Sequence, residues 1–220
     1  MEIDFDTITF DCYGTLIDWE SGIINAFQSE LSSECDEISG DRIIELYSAA
    51  EPQVEDEPYR SYREVLGETA RRVATSLGCR LADSSFLAES LASWTPFSDT
   101  NAALERLAGR FKLGILSNID DDLLSSTRKH FTVNFDLIVT AQQVKSYKPG
   151  LAHFKEASER LRGRRFLHAA QSYFHDIVPA RHLSIPCVWV NRKKQTPEPG
   201  GLLPDREVHN LTQLADLLGV

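Results

Sequence analysis

Short apolar segments rich in β-branched residues recur along this 220-residue chain and alternate with segments of helical spacing. Five of them have the near-continuous apolar character of strands that are buried on both faces of a sheet. They are residues 8–10, 113–116, 137–140, 166–170 and 187–190. Apolar residues recur at helical spacing between the later segments, over 100–108, 120–130, 154–161 and 176–182. The alternation predicts right-handed βαβ units and an α/β fold with a doubly wound, Rossmann-like parallel sheet.

Residues 19–94 have a different pattern, because helical spacing dominates there and no buried strand interrupts it. The segments of helical spacing are 24–31, 42–50 and 59–77. We therefore predict a helical cap domain over 19–94, inserted into an α/β core domain of 1–18 and 95–220. Residues 193–203 are rich in Pro, Gly and Lys and predict a surface loop, and 211–218 predict a final helix.

The first apolar segment ends in a carboxylate, Asp11, and a turn containing Gly14 and Thr15 follows at once. Ligands of parallel sheets bind beyond the carboxyl ends of the strands, where backbone N–H groups of the turns also converge. Ser117 and Asn118 follow the second core segment in the same way. A carboxylate in this position is a candidate nucleophile.

Composition excludes several classes of function. The net charge of −10 argues against sequence-independent nucleic-acid binding, and no apolar run approaches the ~20 residues of a membrane span. The acidic start of the chain lacks the basic region of a signal peptide, so we expect none. The four cysteines form no CxxC pair, so we expect neither a zinc site nor a disulfide framework, but reduced cysteines in a cytoplasmic protein. A catalytic thiol at Cys12 is a weaker alternative to Asp11, because no His lies near it in sequence.

Residues 10–18, Phe-Asp-Cys-Tyr-Gly-Thr-Leu-Ile-Asp, resemble the first motif of the haloacid dehalogenase superfamily and are most similar to its 2-haloacid dehalogenase branch. Ser117, Lys148 and the stretch 171–176 match the second, third and fourth motifs in the same order. The resemblance covers nearly the whole chain. It implies a capped α/β core and covalent catalysis, in which the first-motif Asp attacks carbon and water hydrolyses the resulting ester.

The resemblance also implies roles for particular residues. The catalytic residues it implies are Asp11, Thr15, Lys148 and Asp176. The residues implied to hold the substrate or the ester are Cys12, Tyr13, Ser117, Asn118, Gln171 and Ser172.

Two positions separate carbon chemistry from phosphate chemistry. Phosphatases of the superfamily usually carry Asp where this chain has Tyr13 and Gln171, one as a general acid and the other as a Mg²⁺ ligand. Tyrosine has an unperturbed pKa near 10 and is a poor acid at neutral pH. A departing halide needs no proton. The two replacements together indicate displacement at carbon without a metal or other cofactor.

Three further positions depart from the 2-haloacid dehalogenase pattern. Ser48 stands where that branch has an Arg on its first cap helix, Phe154 where it has Tyr, and Tyr173 where it has Asn. None of Arg42, Arg60 and Arg63 matches the missing Arg clearly. We interpret this as the same ester chemistry with an altered substrate, and the chain also resembles hydrolases that open azetidine-2-carboxylate.

Several other side chains are given structural interpretations. We expect Trp19, Trp94, Tyr59 and Tyr62 to pack in the core of the cap or at its edge rather than to bind a ligand. His175 is expected to have a structural or supporting role, because adjacent residues on a helix point in different directions.

The sequence thus predicts a metal-independent hydrolase acting on a small 2-substituted carboxylic acid. A Mg²⁺-dependent phosphatase and a catalytically silent binding protein are the alternatives. The partner expected is the small-molecule substrate, with no nucleic acid and no membrane, and the resemblance suggests a homodimer.

Overall fold

The computed structural model describes residues 5–31, 38–197 and 200–220. Its centre is a parallel six-stranded sheet in the order β3-β2-β1-β4-β5-β6. The strands are β1 Thr7–Phe10, β2 Lys112–Ser117, β3 Leu137–Thr140, β4 Phe166–Ala170, β5 Cys187–Val190 and β6 Arg206–Val208. The predicted α/β fold and all five predicted strands are confirmed.

The strand register brings the candidate residues to one edge of the sheet. Phe10 at the end of β1 lies opposite Ile115 of β2 and Ala169 of β4. Because all three strands run in the same direction, their carboxyl ends meet there. Asp11 and Gln171 each lie one residue beyond a strand end, on neighbouring strands.

The part of the chain that the structure describes contains ten α-helices. They are α1 Trp19–Glu30, α2 Gly40–Glu55, α3 Tyr62–Leu77, α4 Phe86–Ser90, α5 Thr100–Ala108, α6 Asp121–Thr127, α7 Ala141–Val144, α8 Ala152–Arg160, α9 Val178–His182 and α10 Leu211–Leu217. The first four lie between β1 and β2, and α2 packs against both α1 and α3. The domain boundaries at residues 19 and 94 stay a prediction.

Local capping interactions fix where the cap helices begin and end. The side chain of Asp18 accepts the backbone N–H of Ser21 at the start of α1, at 3.3 Å. Ser61 and Glu64 form a reciprocal capping box at the start of α3. Gly78 ends α3 with a φ of 72°, a left-handed conformation that glycine adopts without steric cost. These contacts are local in sequence and set the start of α1 and both ends of α3.

Helix α2 is longer than its sequence pattern predicted. Apolar spacing indicated a helix over 42–50, but the structure continues it to Glu55. Pro52 lies in the last turn, where its missing N–H leaves only the carbonyl of Ser48 without an intrahelical donor. The extension adds Glu51 and Glu55 to the same helix.

Two elements of the core were not predicted as they are. A single π-helical turn, Tyr173–Ile177, precedes α9, where sequence spacing indicated one helix over 176–182. The edge strand β6 was missed because, of its three residues, only Val208 is apolar and buried. The described part of 193–203 contains no helix or strand, as the predicted loop requires.

The structure bears on two earlier expectations, one about disulfides and one about membrane spans. Cys12 and Cys187 are buried free thiols. Cys79 is disulfide-bonded, so the expectation that the cysteines stay reduced is wrong at this position. Cys35 lies outside the described residues. Within the described ranges, no helix combines the length and the apolar character that crossing a membrane requires.

Candidate active site

Asp11 is held by one hydrogen bond on each carboxylate oxygen. Its Oδ2 accepts from Thr15 Oγ1 at 2.9 Å, and its Oδ1 accepts from Lys148 Nζ at 3.0 Å. Thr15 Oγ1 in turn accepts the backbone N–H of Gln171 at 2.8 Å, which ties the turn after β1 to the end of β4. Gly14 between them has a φ of 95°, and a Cβ there would approach the Trp19 indole to 3.1 Å. The carboxylate is therefore fixed in orientation and 7% exposed.

Lys148 uses every proton of its ammonium group. Its Nζ donates to Asp11 Oδ1 at 3.0 Å, to Asp176 Oδ1 at 2.6 Å and to the backbone carbonyl of Leu116 at 2.9 Å. An ammonium group has three donors, so none remains for another acceptor. The side chain is 2% exposed. Burial acts to lower the pKa of Lys148, but the carboxylates of Asp11 and Asp176 raise it, and the lysine stays charged.

The side chain of Asn118 positions Lys148 by binding the backbone of that lysine. Asn118 Oδ1 accepts the N–H of Lys148 at 2.7 Å, and Asn118 Nδ2 donates to the Lys148 carbonyl at 3.0 Å. The end of β2 therefore holds the loop that carries Lys148. The expectation that the Asn118 amide donates to a substrate anion stays untested, and the structure gives that amide a partner within the protein.

Asp176 is joined to a histidine that the sequence interpretation did not include. Its Oδ1 accepts from Lys148 and lies 3.0 Å from His168 Nε2. A carboxylate cannot donate, so Nε2 carries the hydrogen, and Nδ1 lies at hydrogen-bond distance from Thr9 Oγ1, 2.9 Å. The Oδ2 atom of Asp176 is buried without a hydrogen-bond partner. A chain of hydrogen bonds therefore runs beneath the sheet edge from Thr9 to Asp11.

Asp11 and Asp176, the two carboxylates joined by these hydrogen bonds, have pKa values shifted in opposite directions. Burial raises the pKa of Asp11, while Lys148 acts to lower it and the charge of Asp176 acts to raise it. Burial acts to raise the pKa of Asp176 too, but Lys148 and the hydrogen bond from His168 bring it down to about 2. Asp176 therefore stays ionised, and Asp11 is the carboxylate more easily protonated on acidification.

The predicted substrate-binding residues differ in how they meet the cavity. Ser117, 1% exposed, lines it, and its Oγ has no partner among the described residues. Ser172 and Gln171 also line it, and Ser172 Oγ lies 3.1 Å from His175 Nδ1. Cys12 lies below the cavity and does not line it. Burial raises the pKa of its thiol well above the usual value, which disfavours the thiolate that a catalytic cysteine needs.

Tyr13 presents its ring and not its hydroxyl to the site. Its hydroxyl is 2.7 Å from Thr127 Oγ1, and its ring makes an edge-to-face contact with Trp94 at 5.9 Å between centroids. Burial raises the pKa of Tyr13 well above 10. The hydroxyl is thus both directed away from Asp11 and unsuited to proton transfer at neutral pH.

A cavity of about 220 Å³ lies over Asp11 between the sheet edge and the cap. The cap side of the cavity is lined by Trp19, Tyr47, Ser48, Glu51, Pro52, Glu55, Tyr62 and Trp94. The expectation that Trp19, Trp94 and Tyr62 only pack is therefore incomplete. His175 also lines the cavity, and burial lowers its pKa so that its ring is neutral.

Sequence reasoning missed the two cap carboxylates, Glu51 and Glu55. A signal existed, because Tyr47, Glu51 and Glu55 are spaced by four and lie on one helix face. It was overlooked because the predicted helix ended at residue 50, before both carboxylates. His168 was missed because it lies inside the apolar run that predicted β4.

The three positions that depart from the 2-haloacid dehalogenase pattern lie in different parts of the structure. Ser48 lines the cavity. Phe154 is fully buried and packs edge-to-face on His168, at 5.0 Å between centroids. Tyr173 donates its hydroxyl to the carbonyl of Leu202 at 2.7 Å. Phe154 and Tyr173 are therefore not part of the cavity wall.

The arginines near the first cap helices do not replace the missing one. Arg42, Arg60 and Arg63 pair with Glu45, Glu57 and Asp122, respectively, and none of the three lines the cavity.

The donor set does not fit a magnesium ion. Lys148 and Thr15 each engage one oxygen of Asp11, and Gln171 offers a neutral amide where a carboxylate ligand would be needed. Over 5–31, 38–197 and 200–220, no three His, Cys, Asp or Glu side chains are grouped to hold a metal ion. We derive no chemical step through a metal.

Comparison with known proteins agrees with this architecture. The family model for haloacid dehalogenase-like hydrolases matches residues 5–170. The chain is 28% identical over 226 residues to (S)-2-haloacid dehalogenase H-109 of Pseudomonas putida, covering 96% of each chain. In fold it is similar to L-2-haloacid dehalogenase RSc1362, with a TM-score of 0.84, 22% identity and coverage of 99% and 100%.

The L-2-haloacid dehalogenase of Xanthobacter autotrophicus, solved with chloropropionic acid covalently bound, has the same fold. It superposes with a TM-score of 0.80 and 22% identity, covering 97% of this chain and 98% of that one. The sheet order, the strand-end carboxylate and the family match lead to one conclusion: the chain belongs to the haloacid dehalogenase-like hydrolase family.

Proposed function

We propose that Asp11 is the nucleophile of a hydrolase that acts at the α-carbon of a small 2-substituted carboxylic acid. One carboxylate oxygen of Asp11 forms a bond to that carbon, and the leaving group departs with its electron pair. The observation that carries this proposal is the position of Asp11, fixed by Thr15 and Lys148 at the floor of a small cavity. Covalent chemistry by a carboxylate needs such an oriented group.

In the second step, water attacks the ester carbonyl carbon of Asp11. The ester C–O bond to the Asp11 carbonyl carbon breaks, and one water hydrogen goes to the leaving oxygen, so that the 2-hydroxy acid departs. The carboxylate is regenerated with one oxygen from water, and the second water hydrogen is released to solvent as a proton. We assign Asp176 and Lys148 to charge balance and to positioning this water. The buried, unpartnered Oδ2 of Asp176 supports the assignment, because a water hydrogen would satisfy it.

We assign the substrate carboxylate and the ester oxygens to the strand-end residues. The unpartnered Oγ of Ser117 supports this assignment, together with the turn that contains the amide of Cys12. Gln171, Ser172 and the ring of Tyr13 would bound the substrate. Asn118 would act chiefly by holding Lys148, since its side-chain amide binds that backbone.

The relatives support the reaction class. H-109 carries the name of a 2-haloacid dehalogenase, and the Xanthobacter enzyme holds chloropropionic acid in a covalent bond. We propose the same two-step scheme for this chain, without a cofactor, and leave the leaving group to experiment.

The test is isotope transfer into Asp11. The protein is incubated in H₂¹⁸O with a panel of 2-substituted carboxylic acids, with and without an amino group, and the peptide containing Asp11 is analysed by mass spectrometry. We expect a gain of about 2 Da per oxygen exchanged in the wild type, and none in Asp11→Asn. Turnover of a panel member without label in Asp11 would contradict the proposal, since water would then attack the substrate directly.

The same assay separates the two alternatives. Release of phosphate from an aryl phosphate, dependent on added Mg²⁺ and abolished by EDTA, would favour a phosphatase. Absence of turnover with every acid and phosphate in the panel would favour a silent binding protein.

A further inference from the structure

The cavity over Asp11 has an excess of acidic side chains. Asp11 and Asp176 lie at its floor, and Glu51 and Glu55 of α2 lie in its cap wall. Among the lining residues that the structure describes, Lys148 is the one Lys or Arg. The lining therefore holds four carboxyl groups against one ammonium group.

That single ammonium group is not available to a ligand. All three of its donors are taken by Asp11, Asp176 and the carbonyl of Leu116. A ligand that carries only negative charge would meet neutral donors such as Ser117 Oγ at the floor and carboxylates in the cap wall. Like charges brought together in a partly desolvated site repel strongly.

The cap carboxylates are oriented but incompletely partnered. Tyr47 and Tyr62 donate their hydroxyls to the same atom, Glu51 Oε1, at 2.7 and 2.5 Å. Glu51 Oε2 has no partner among the described residues. Among the described residues, Glu55 is hydrogen-bonded only by Asn118 Nδ2, at 3.4 Å from each oxygen. Acceptor capacity in this wall is therefore left for a ligand donor.

The surroundings of these carboxylates favour a positive charge. Burial raises the pKa of Glu51, and burial together with the charge of Glu51 raises that of Glu55 against the opposing charge of Lys148. A positively charged ligand group beside these carboxyls would favour their ionised form. The rings of Trp19 and Tyr47, 5.6 Å apart, line the same cavity, and aromatic faces attract cations.

We propose that Glu51 and Glu55 bind a protonated amine of the substrate, so that the substrate is a small acid carrying an amino group. This inference rests on the proposed function for the reacting end of the molecule. The floor residues would take the carboxylate and the reacting carbon, and the cap wall would take the ammonium. Glu51 and Glu55 are then specificity residues and take no part in bond formation.

Binding of unreactive probes tests the inference without turnover. Calorimetry compares β-alanine with propionate and 4-aminobutyrate with butyrate, each pair differing by one ammonium group. We expect the amino member of at least one pair to bind the wild type about tenfold tighter or more, as a charge-assisted contact would provide. Glu51→Gln and Glu55→Gln should each remove most of that preference.

Glu45→Gln is the matched control, because Glu45 lies on the same helix, pairs with Arg42 at the surface and does not line the cavity. It should keep the full preference. Melting temperatures of all three variants show whether the fold is retained, and Glu55→Gln removes the fewest contacts. Equal or tighter binding of propionate and butyrate in the wild type, or an unchanged preference in both cavity variants, would overturn the inference.

The two proposals fail separately. Label in Asp11 without amine selectivity would leave the ester mechanism standing and remove the amine site. Amine selectivity, with turnover that leaves Asp11 unlabelled, would keep the amine site and remove the ester mechanism.

Discussion

The floor and the cap wall of the cavity are built from the same kinds of side chain, yet their charges are balanced differently. At the floor, two carboxylates share one buried lysine, and every donor of that lysine is used. In the cap wall, Glu51 and Glu55 form no ion pair within the described residues and are held by hydroxyl and amide groups. Because the carboxylate charges are paired at the floor but not in the cap wall, we expect the cap wall to receive the positive charge of a ligand.

We expect the largest effect from replacing Asp11, the proposed nucleophile at the cavity floor. Asp11→Asn keeps the shape of the side chain but removes the negative charge that attacks carbon. We expect the turnover rate to fall by about 10⁴-fold or more, as when other catalytic nucleophiles are removed. Single-turnover kinetics with a substrate from the labelling panel would measure it. Retention of more than a few per cent of the rate would show that another group attacks.

Removing the lysine should damage both activity and stability. Lys148→Met leaves Asp11 and Asp176 buried without a counter-charge, which we expect to cost about 3–5 kcal/mol of unfolding free energy. The pKa of Asp11 should rise further, so the rate at pH 7 should fall as well. Urea unfolding measures the first effect. Lys155→Met is the control, since this exposed lysine lies on α8 away from the cavity, and a similar loss there would contradict the prediction.

His168 lies at the buried end of the hydrogen-bond chain that leads to Asp11. Its substitution tests whether catalysis depends on that end of the chain. His168→Phe removes the hydrogen bond to Asp176, and we expect kcat to fall about 10- to 100-fold with little change in KM. His168→Gln can still donate to Asp176 and should recover much of the rate. Equal loss in both variants, or a change confined to KM, would argue against a positioning role.

The pH profile of His168→Phe gives an independent check. The hydrogen bond from His168 helps to hold the pKa of Asp176 at about 2, so its removal should raise that pKa. A group with a lowered pKa contributes its stabilisation above its unfolded value and loses it as the pH falls through the folded value. The acid limb of stability should therefore move to higher pH in the variant. An acid limb of the stability profile at the same pH in both proteins would show that Lys148, and not His168, sets the pKa of Asp176.

The smallest effect concerns the packing of α1 against Trp94 in the cap wall. A Cβ at Gly22 of α1 would lie 2.4 Å from the Trp94 ring, so Gly22→Ala must displace a side chain of the cavity wall. We expect a loss of about 1–3 kcal/mol in thermal unfolding. Gly67→Ala on α3 is the control, because its nearest neighbour is 3.5 Å away and a helical alanine is favoured. Equal stabilities would show that Trp94 moves freely.

The sequence predicted the floor far better than the cap wall. Asp11, Ser117 and Asn118 were readable because the direction of parallel strands fixes which ends meet. Gln171, Lys148 and Asp176 were found through the resemblance, and the structure places all three at the cavity over Asp11. The cap wall depended on which face of α2 points inward, and packing between helices decides that. The predicted helix also ended at residue 50, before Glu51 and Glu55.

Asp120 is buried at the join between the two regions. Its carboxylate accepts the N–H groups of Tyr62 at 3.0 Å and Arg63 at 2.9 Å, at the positive end of the α3 dipole. The hydroxyl of Tyr147, next to Lys148 in the chain, donates to the carbonyl of Arg60 at 2.9 Å.

Tyr62, held at this first turn, donates its hydroxyl to Glu51 in the cap wall, while Asp120 follows Ser117 and Asn118 along the chain. One buried carboxylate therefore joins the two sides between which a ligand would lie. We expect Asp120→Ala to change the length of acid that the cavity accepts, even though Asp120 does not line it.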